Sequence, residues 1–190
     1  MYQLTTLMND YNACKRASET FSLIVDTREQ QNMRYHKRMK DFQSLGVSPH
    51  RQTLGVGDYS ATVQCPDGNV IDYTDKISVE RKMDLHELII CFGPERDRFE
   101  AELRRAWEQG CKLYIAIEGG SYADLVSGNY SNQHSVKNAL ATYHTFEKRY
   151  GCSFVFVTPE SFPTFVFETL RRYIMDDLYG KCRAQKFALA

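Results

Sequence analysis

The stretch Ile77-Ser78-Val79-Glu80-Arg81-Lys82 has the apolar start of a strand and ends in three charged residues. Side chains alternate between the two faces of a strand, so Glu80 and Lys82 point to one face and Arg81 to the other. A carboxylate beside a lysine on one face is typical of metal-dependent phosphodiesterases, where the carboxylate binds a hard cation and the lysine orients or deprotonates a water. Alone, Glu-x-Lys is more often a solvated ion pair worth ~0–1 kcal/mol.

A metal site needs a second carboxylate, because Mg²⁺ is rarely held by one side chain. Asp58 supplies one, since Gly55 and Gly57 favour a tight turn or bulge that brings its carboxylate to a strand edge. Asp26 follows the first apolar run, residues 21–25, which predicts a buried strand. Asp26 either lies beside the metal site or only begins a turn.

Three motifs follow one another along the chain: VDTRE at 25–29, GDY at 57–59 and VERK at 79–82. Their order and spacing resemble the nuclease domain of the XPF (ERCC4-type) family of structure-specific DNA endonucleases, within the restriction-endonuclease-like superfamily. The resemblance implies an α/β fold with a central mixed β-sheet flanked by helices, which the alternating strands and helices after residue 84 also favour. It divides the chain into an N-terminal arm (1–20), a nuclease domain (21–180) and a loose C-terminal tail (181–190).

The resemblance also implies roles for the motif residues. Asp58 and Glu80, with Asp26, are expected to hold Mg²⁺ or Mn²⁺. Lys82 is expected to position or deprotonate the attacking water, or to stabilise charge on the phosphate. Arg81 is expected either to take part in catalysis or to form a structural ion pair behind the site.

The chain departs from the family pattern after the lysine. The family commonly has an aspartate four residues on, where this chain has His86. The nearby acids, Asp84 and Glu87, have the spacing of a capping box for a helix that begins there. Glu87 either belongs to that cap or replaces the missing aspartate. Arg28 and Glu29 are further accessory candidates, beside Asp26.

Two basic segments are candidate DNA contacts. A predicted helix after Arg34 carries Lys37 and Arg38, and a helix opened by Pro94 carries Arg96 and Arg98. Each segment is either a solvated helix face or a set of phosphate contacts. Residues 119–131, rich in Gly, Ser, Asn and Tyr, are predicted to form a loop.

Composition narrows the class of protein. Lys+Arg and Asp+Glu both number 24, which argues against binding nucleic acid through bulk positive charge. Six scattered cysteines without a CxxC pair argue against a zinc site or a disulfide framework. Free thiols favour a reducing, intracellular compartment, which is the cytoplasm if the protein is bacterial or from a phage. We also predict no signal peptide and no membrane span.

The sequence therefore predicts a metal-dependent DNA endonuclease that hydrolyses phosphodiester bonds in branched or single-strand/duplex junction DNA, in repair, recombination or replication. The alternative is a catalytically silent DNA-binding or scaffolding module of the same family. Retention of Asp58, Glu80 and Lys82 favours the enzyme. XPF-like enzymes generally carry a helix-hairpin-helix domain that we do not expect here, as in a stand-alone bacterial or phage form. Recognition of DNA is then expected from the domain itself, a homodimer or a DNA-targeting partner protein.

Overall fold

The structure is a computed structural model that describes residues 11–65, 68–130 and 134–188. Residues 1–10 of the predicted arm and 189–190 of the predicted tail lie outside the described residues. Within the described ranges, the strands are β1 Ser22–Asp26, β2 Ser48–Gln52, β3 Tyr59–Gln64, β4 Val70–Asp72, β5 Ile77–Lys82, β6 Lys112–Ile117 and β7 Ser153–Phe156. The helices are α1 Tyr11–Glu19, α2 Met33–Ser44, α3 Leu85–Phe92, α4 Arg96–Gln109, α5 Tyr122–Ser127, α6 Val136–Tyr150 and α7 Phe162–Ala188.

One mixed sheet forms the centre of the described structure. Its strand order is β2-β1-β3-β5-β6-β7, and β4 pairs with β3. The β1/β3 and β3/β5 pairs are antiparallel, whereas β5/β6 and β6/β7 are parallel. Helices α1, α2 and α7 pack on one face, and α3, α4 and α6 pack on the other. The predicted α/β class, a central mixed sheet flanked by helices, is confirmed.

Strand β5 lies in the middle of this sheet and contributes to both layers. Ile77 and Val79 are fully buried in the core beneath α7. The intervening side chains Ser78, Glu80 and Lys82 are also buried, so the strand places two charged groups inside the molecule. The alternation expected from the sequence is confirmed, and the carboxylate and ammonium share the face toward α3 and α4.

In the predicted arm, helix α1 packs on the domain against α7 and β3, and its Cys14 is buried. The structure differs from the sequence prediction at two places. Helix α5 forms inside the predicted loop 119–131, because Ser121 caps its first turn by accepting from the Asp124 N–H. Helix α7 continues to Ala188 through much of the predicted loose tail, since Gly180 alone does not end a helix followed by good helix formers.

Two expectations about composition bear on the described part of the chain. The cysteines with described side chains are buried free thiols: Cys14, Cys65, Cys91, Cys111 and Cys152. Among the described helices, none combines the length and the apolar character needed to cross a bilayer.

Candidate active site

The turn before β3 presents Asp58 at the centre of the sheet. The Asp58 N–H donates to the Val79 carbonyl at 2.9 Å, and one carboxylate oxygen of Asp58 accepts from the Arg81 N–H at 2.8 Å. The preceding Gly57 has φ +69°, and a Cβ there would lie 2.3 Å from the Ser78 hydroxyl oxygen. Only glycine fits this approach to β5, so the turn predicted from the two glycines does bring Asp58 to the strand that carries Glu80.

Glu80 and Lys82 form a buried ion pair next to this turn. Lys82 Nζ lies 2.7 Å from Glu80 Oε1, and the two residues are 5% and 8% exposed. Lys82 Nζ also lies 5.1 Å from the centre of the Phe99 ring of α4 and 4.0 Å from Glu87 Oε1 of α3. The sheet, α3 and α4 therefore meet at one cluster of charged groups.

The electrostatics of the cluster favour a bound cation. Burial, and then the neighbouring Glu80 carboxylate, raise the pKa of Asp58 well above its usual value. Burial also raises the pKa of Glu80, although Lys82 acts in the opposite direction. Two adjacent carboxylates that are costly to ionise are stabilised by a divalent cation, and oxygen donors are those that Mg²⁺ and Mn²⁺ prefer.

Asp58 and Glu80 would form only part of a metal shell. In the ranges 11–65, 68–130 and 134–188, no group of three or more His, Cys, Asp or Glu side chains is arranged to hold a metal ion. Mg²⁺ is commonly bound through one or two carboxylates, with waters and substrate phosphate oxygens completing its shell. The donor pair Asp58 and Glu80 fits that mode of binding.

Lys82 is an ammonium ion in this environment. Burial lowers the pKa of Lys82, but the Glu80 carboxylate outweighs that effect and leaves the pKa above its usual value. The side chain is therefore a hydrogen-bond donor at neutral pH and does not take up a further proton.

Asp26 lies beside the turn but is engaged by other groups. Its Oδ1 accepts from the Arg28 N–H at 2.6 Å and from Arg28 Nε at 2.7 Å. Its Oδ2 accepts from Arg28 Nη2 at 3.0 Å and from the Leu54 N–H at 2.7 Å. A carboxylate has about four acceptor positions, and these four donors use them in this structure, so a metal bound by Asp26 would displace a donor. The Asp26 backbone also supports the site, because its N–H donates to the Asp58 carbonyl at 2.8 Å.

Arg81 points away from the cluster, to the face of the sheet covered by α7. Its Nη2 lies 2.7 Å from Glu118 Oε2, and Glu118 is 4% exposed. On the same side, Glu29 accepts from the Tyr59 hydroxyl at 2.9 Å and lies 3.5 Å from Arg38 Nη2. Of the two roles expected for Arg81, the ion pair behind the site is the one that the contacts support.

The acids after the lysine form a helix cap. Asp84 precedes α3 and accepts from the Glu87 N–H at 2.9 Å, as the capping prediction requires. Glu87 Oε2 accepts from the Met83 N–H at 2.7 Å, while its Oε1 faces Lys82. Glu87 is thus in a position to serve both the cap and the charged cluster.

Substitution separates these two roles. We expect Asp84→Ala to lower the free energy of unfolding by ~0.5–2 kcal/mol, because an N-cap is lost, with little change in the rate of the nuclease reaction that the sequence predicts. Glu87→Ala is expected to lower the cleavage rate as well. Urea denaturation and initial cleavage rates measure the two effects. Equal loss of stability with an unchanged cleavage rate in both variants would restrict Glu87 to the cap.

The predicted DNA contacts differ in accessibility. Lys37 is exposed and paired with Asp41, and Arg98 is exposed and paired with Glu95. Arg96 donates to Thr142 Oγ1 at 2.9 Å and covers the Phe146 ring of α6. Arg38 is 5% exposed and lies in the interior beside Glu29, contrary to its predicted contact with DNA. Its burial follows from its position one turn from Tyr35 and Phe42 on the buried face of α2.

Sequence reasoning missed Glu102 of α4. Its Oε1 accepts from the Gly57 N–H at 3.2 Å, which places the carboxylate beside the Asp58 turn. The available signal was its position three residues after Phe99, on the side of α4 that faces the sheet. The partner turn is distant in sequence, so spacing within the helix does not reveal it.

Comparison with known proteins supports this arrangement of sheet and motifs. The ERCC4 domain family model matches residues 25–163. The chain belongs to the ERCC4 domain family. No curated protein matches the sequence significantly.

Solved structures of XPF from Aeropyrum pernix are among those that share the fold. XPF from Aeropyrum pernix aligns with a TM-score of 0.56 and 19% identity, covering 80% of this chain and 61% of that one. The structure of XPF from Aeropyrum pernix in complex with DNA aligns with a TM-score of 0.56 and 20% identity, covering 80% and 64%. This ERCC4 domain chain thus spans under two thirds of either XPF chain, and the likeness establishes the fold.

Proposed function

We propose that this ERCC4 domain is a Mg²⁺- or Mn²⁺-dependent DNA endonuclease that hydrolyses phosphodiester bonds. The observation that carries the proposal is the convergence of Asp58, Glu80 and Lys82 at one point of the sheet. Family membership supports nuclease chemistry, and the solved complex of an XPF relative with DNA supports DNA as the substrate. Branched or junction DNA, handled inside the cell during repair, recombination or replication, is the substrate class we infer from the family.

The residues of the cluster divide the chemistry between them. A divalent cation bound there would polarise the scissile phosphate and lower the pKa of a coordinated water. Asp58 and Glu80 would provide its carboxylate ligands, and Asp58 is fixed in place by the backbone of β5. The Lys82 ammonium donates hydrogen bonds toward the phosphate and offsets negative charge as it develops. Arg81 acts through its backbone N–H, which orients Asp58, while its side chain pairs with Glu118.

The surface beyond the cluster is where DNA would be held. Lys37 and Arg98 are exposed, so they are available to phosphates once their surface ion pairs open, which costs little. We further propose that a second copy of the chain or a DNA-targeting partner protein adds contacts to the substrate.

The test is cleavage of end-labelled single-stranded, duplex, flap and fork DNA with Mg²⁺, Mn²⁺ or EDTA. We expect cleavage only with metal, and Lys82→Ala to lower the rate by about 10²-fold or more, as for loss of a group that stabilises the transition state. Lys148→Ala, an exposed lysine of α6, is the matched control. Cutting in EDTA, or an undiminished rate in Lys82→Ala, would contradict the mechanism. Binding of DNA without cleavage under either metal would support the silent module.

A further inference from the structure

Helix α4 is hydrogen-bonded to two points of the turn that carries Asp58. Glu102 Oε1 accepts from the Gly57 N–H at 3.2 Å, and Arg105 Nε donates to the Gly55 carbonyl at 3.1 Å. Residues three apart share a face of a helix, so one face of α4 binds a donor and an acceptor of the same short turn. Two peptide groups on either side of Val56 are thereby tied to the helix.

This turn needs outside support because of its backbone geometry. Gly57 is in the left-handed region at φ +69° and lies directly against Ser78 of β5. Its N–H lies ahead of β3, which begins at Tyr59, so that donor is satisfied by Glu102 instead of by a neighbouring strand. A shift at Gly57 would move Asp58, the next residue along the chain.

Glu102 also brings a negative charge to the cluster. Its carboxylate is half-buried and lies within electrostatic range of Glu80 and of Arg28. The hydrogen bond to Gly57 uses one carboxylate oxygen, Oε1. The Glu102 carboxylate adjoins the Asp58 turn and makes the ionised form of Glu80 more costly, so it increases the attraction of the cluster for a cation.

We propose that Glu102 is a positioning residue of this site, which fixes the Asp58 turn through the Gly57 N–H and strengthens binding of the divalent cation through its charge. The inference rests on the proposed nuclease function, because it assigns a role toward the metal of that same site. Glu102 differs from Glu87 in what it holds: the Glu87 carboxylate caps α3 and lies 4.0 Å from Lys82 Nζ, whereas the Glu102 carboxylate binds the turn that carries Asp58.

Four variants separate the hydrogen bond from the charge. Glu102→Gln keeps an oxygen that accepts from Gly57 and removes the charge, whereas Glu102→Ala removes both. Arg105→Ala loses the bond to Gly55 and keeps the carboxylate. Glu108→Gln removes a charge from the exposed side of the same helix and is the matched control.

The primary measurement is Mn²⁺ binding to the metal-free protein by titration calorimetry, without DNA. We expect Glu102→Gln to bind Mn²⁺ about 10- to 100-fold more weakly, the range found when groups that support metal ligands are altered, with an unchanged urea midpoint. Glu102→Ala is expected to lose at least as much affinity and to unfold at lower urea. Arg105→Ala is expected to weaken Mn²⁺ binding less than Glu102→Ala does, because the Gly57 N–H stays bonded to Glu102, and Glu108→Gln is expected to match the wild type.

The outcomes distinguish this inference from the proposed function. If the wild type binds Mn²⁺ and cuts DNA, and Glu102→Gln does both equally well at every Mn²⁺ concentration, the role of Glu102 is refuted and the nuclease stands. If the wild type neither binds Mn²⁺ nor cuts any of the DNA substrates, the proposed function fails and the inference fails with it. If Glu108→Gln also binds Mn²⁺ more weakly, the change in affinity comes from the overall charge of the protein, and the specific role of Glu102 is refuted.

Discussion

Glu80→Gln is expected to reduce metal-dependent DNA cleavage by about 10³-fold or more, because a charged metal ligand contributes ~4 kcal/mol or more to the reaction. The substitution preserves the size of the side chain and one oxygen that can accept from Lys82. It leaves the buried Lys82 ammonium with Glu87, 4.0 Å away, as an anionic neighbour, so we expect a loss of stability smaller than the ~3–5 kcal/mol of a buried charge left with no partner. DNA binding in EDTA is expected to stay close to that of the wild type.

Three measurements made together check this prediction: initial cleavage rates at saturating Mg²⁺ or Mn²⁺, DNA affinity in EDTA, and the thermal unfolding midpoint. Glu108→Gln serves as the control for an exposed glutamate. A Glu80→Gln protein that still cuts at a rate near that of the wild type would remove Glu80 from the metal site. Loss of cleavage together with a large drop in the unfolding midpoint would assign Glu80 to folding instead.

The centre of the site followed from local patterns. Alternation along β5 correctly separated Glu80 and Lys82 from Arg81, and the two glycines near Asp58 correctly indicated a turn that approaches a strand. Both features depend on the geometry of a few neighbouring residues, which sequence spacing records directly. The α/β class followed for the same reason, since each strand and helix carries its own periodicity.

Other features depend on contacts between distant segments. The Arg38 side chain is buried beside Glu29, and the four donors around Asp26 include the N–H of Leu54, which lies 28 residues further on. Glu102 reaches Gly57 across 45 residues. The charge of such a side chain and its spacing along a helix are the same whether it is solvated or bonded to a distant segment. Only the packing of α2 and α4 on the sheet decides between these two possibilities.

Arg81 pairs with Glu118, and these contacts support the structural role among the two that the sequence left open. Both side chains lie largely inside the molecule, 13% and 4% exposed, on the face opposite Glu80. Burial lowers the pKa of Arg81, but the bonded Glu118 outweighs this and leaves the pKa raised. Meanwhile the Arg81 N–H binds Asp58 whatever the side chain. The side chain and the backbone of one residue therefore have separate tasks.

Arg81→Met is expected to lower the free energy of unfolding by ~3–5 kcal/mol, because it leaves the Glu118 carboxylate buried without its partner. The double variant Arg81→Met/Glu118→Leu removes both charges and is expected to recover most of that loss, a coupling that a double-mutant cycle in urea measures directly.

Cleavage by the double variant then decides the role of the Arg81 side chain. Because the backbone N–H still orients Asp58, and Glu80 and Lys82 are untouched, we expect the folded double variant to cut within about tenfold of the wild-type rate, a difference of ~1.4 kcal/mol. Glu118→Leu alone leaves the Arg81 guanidinium without its partner. This variant is the control for disturbance of the face of the sheet covered by α7. The contrary result is a stable double variant whose cleavage rate falls as far as that of Glu80→Gln. It would show that the Arg81 side chain takes part in catalysis and would refute its assignment as a purely structural partner of Glu118.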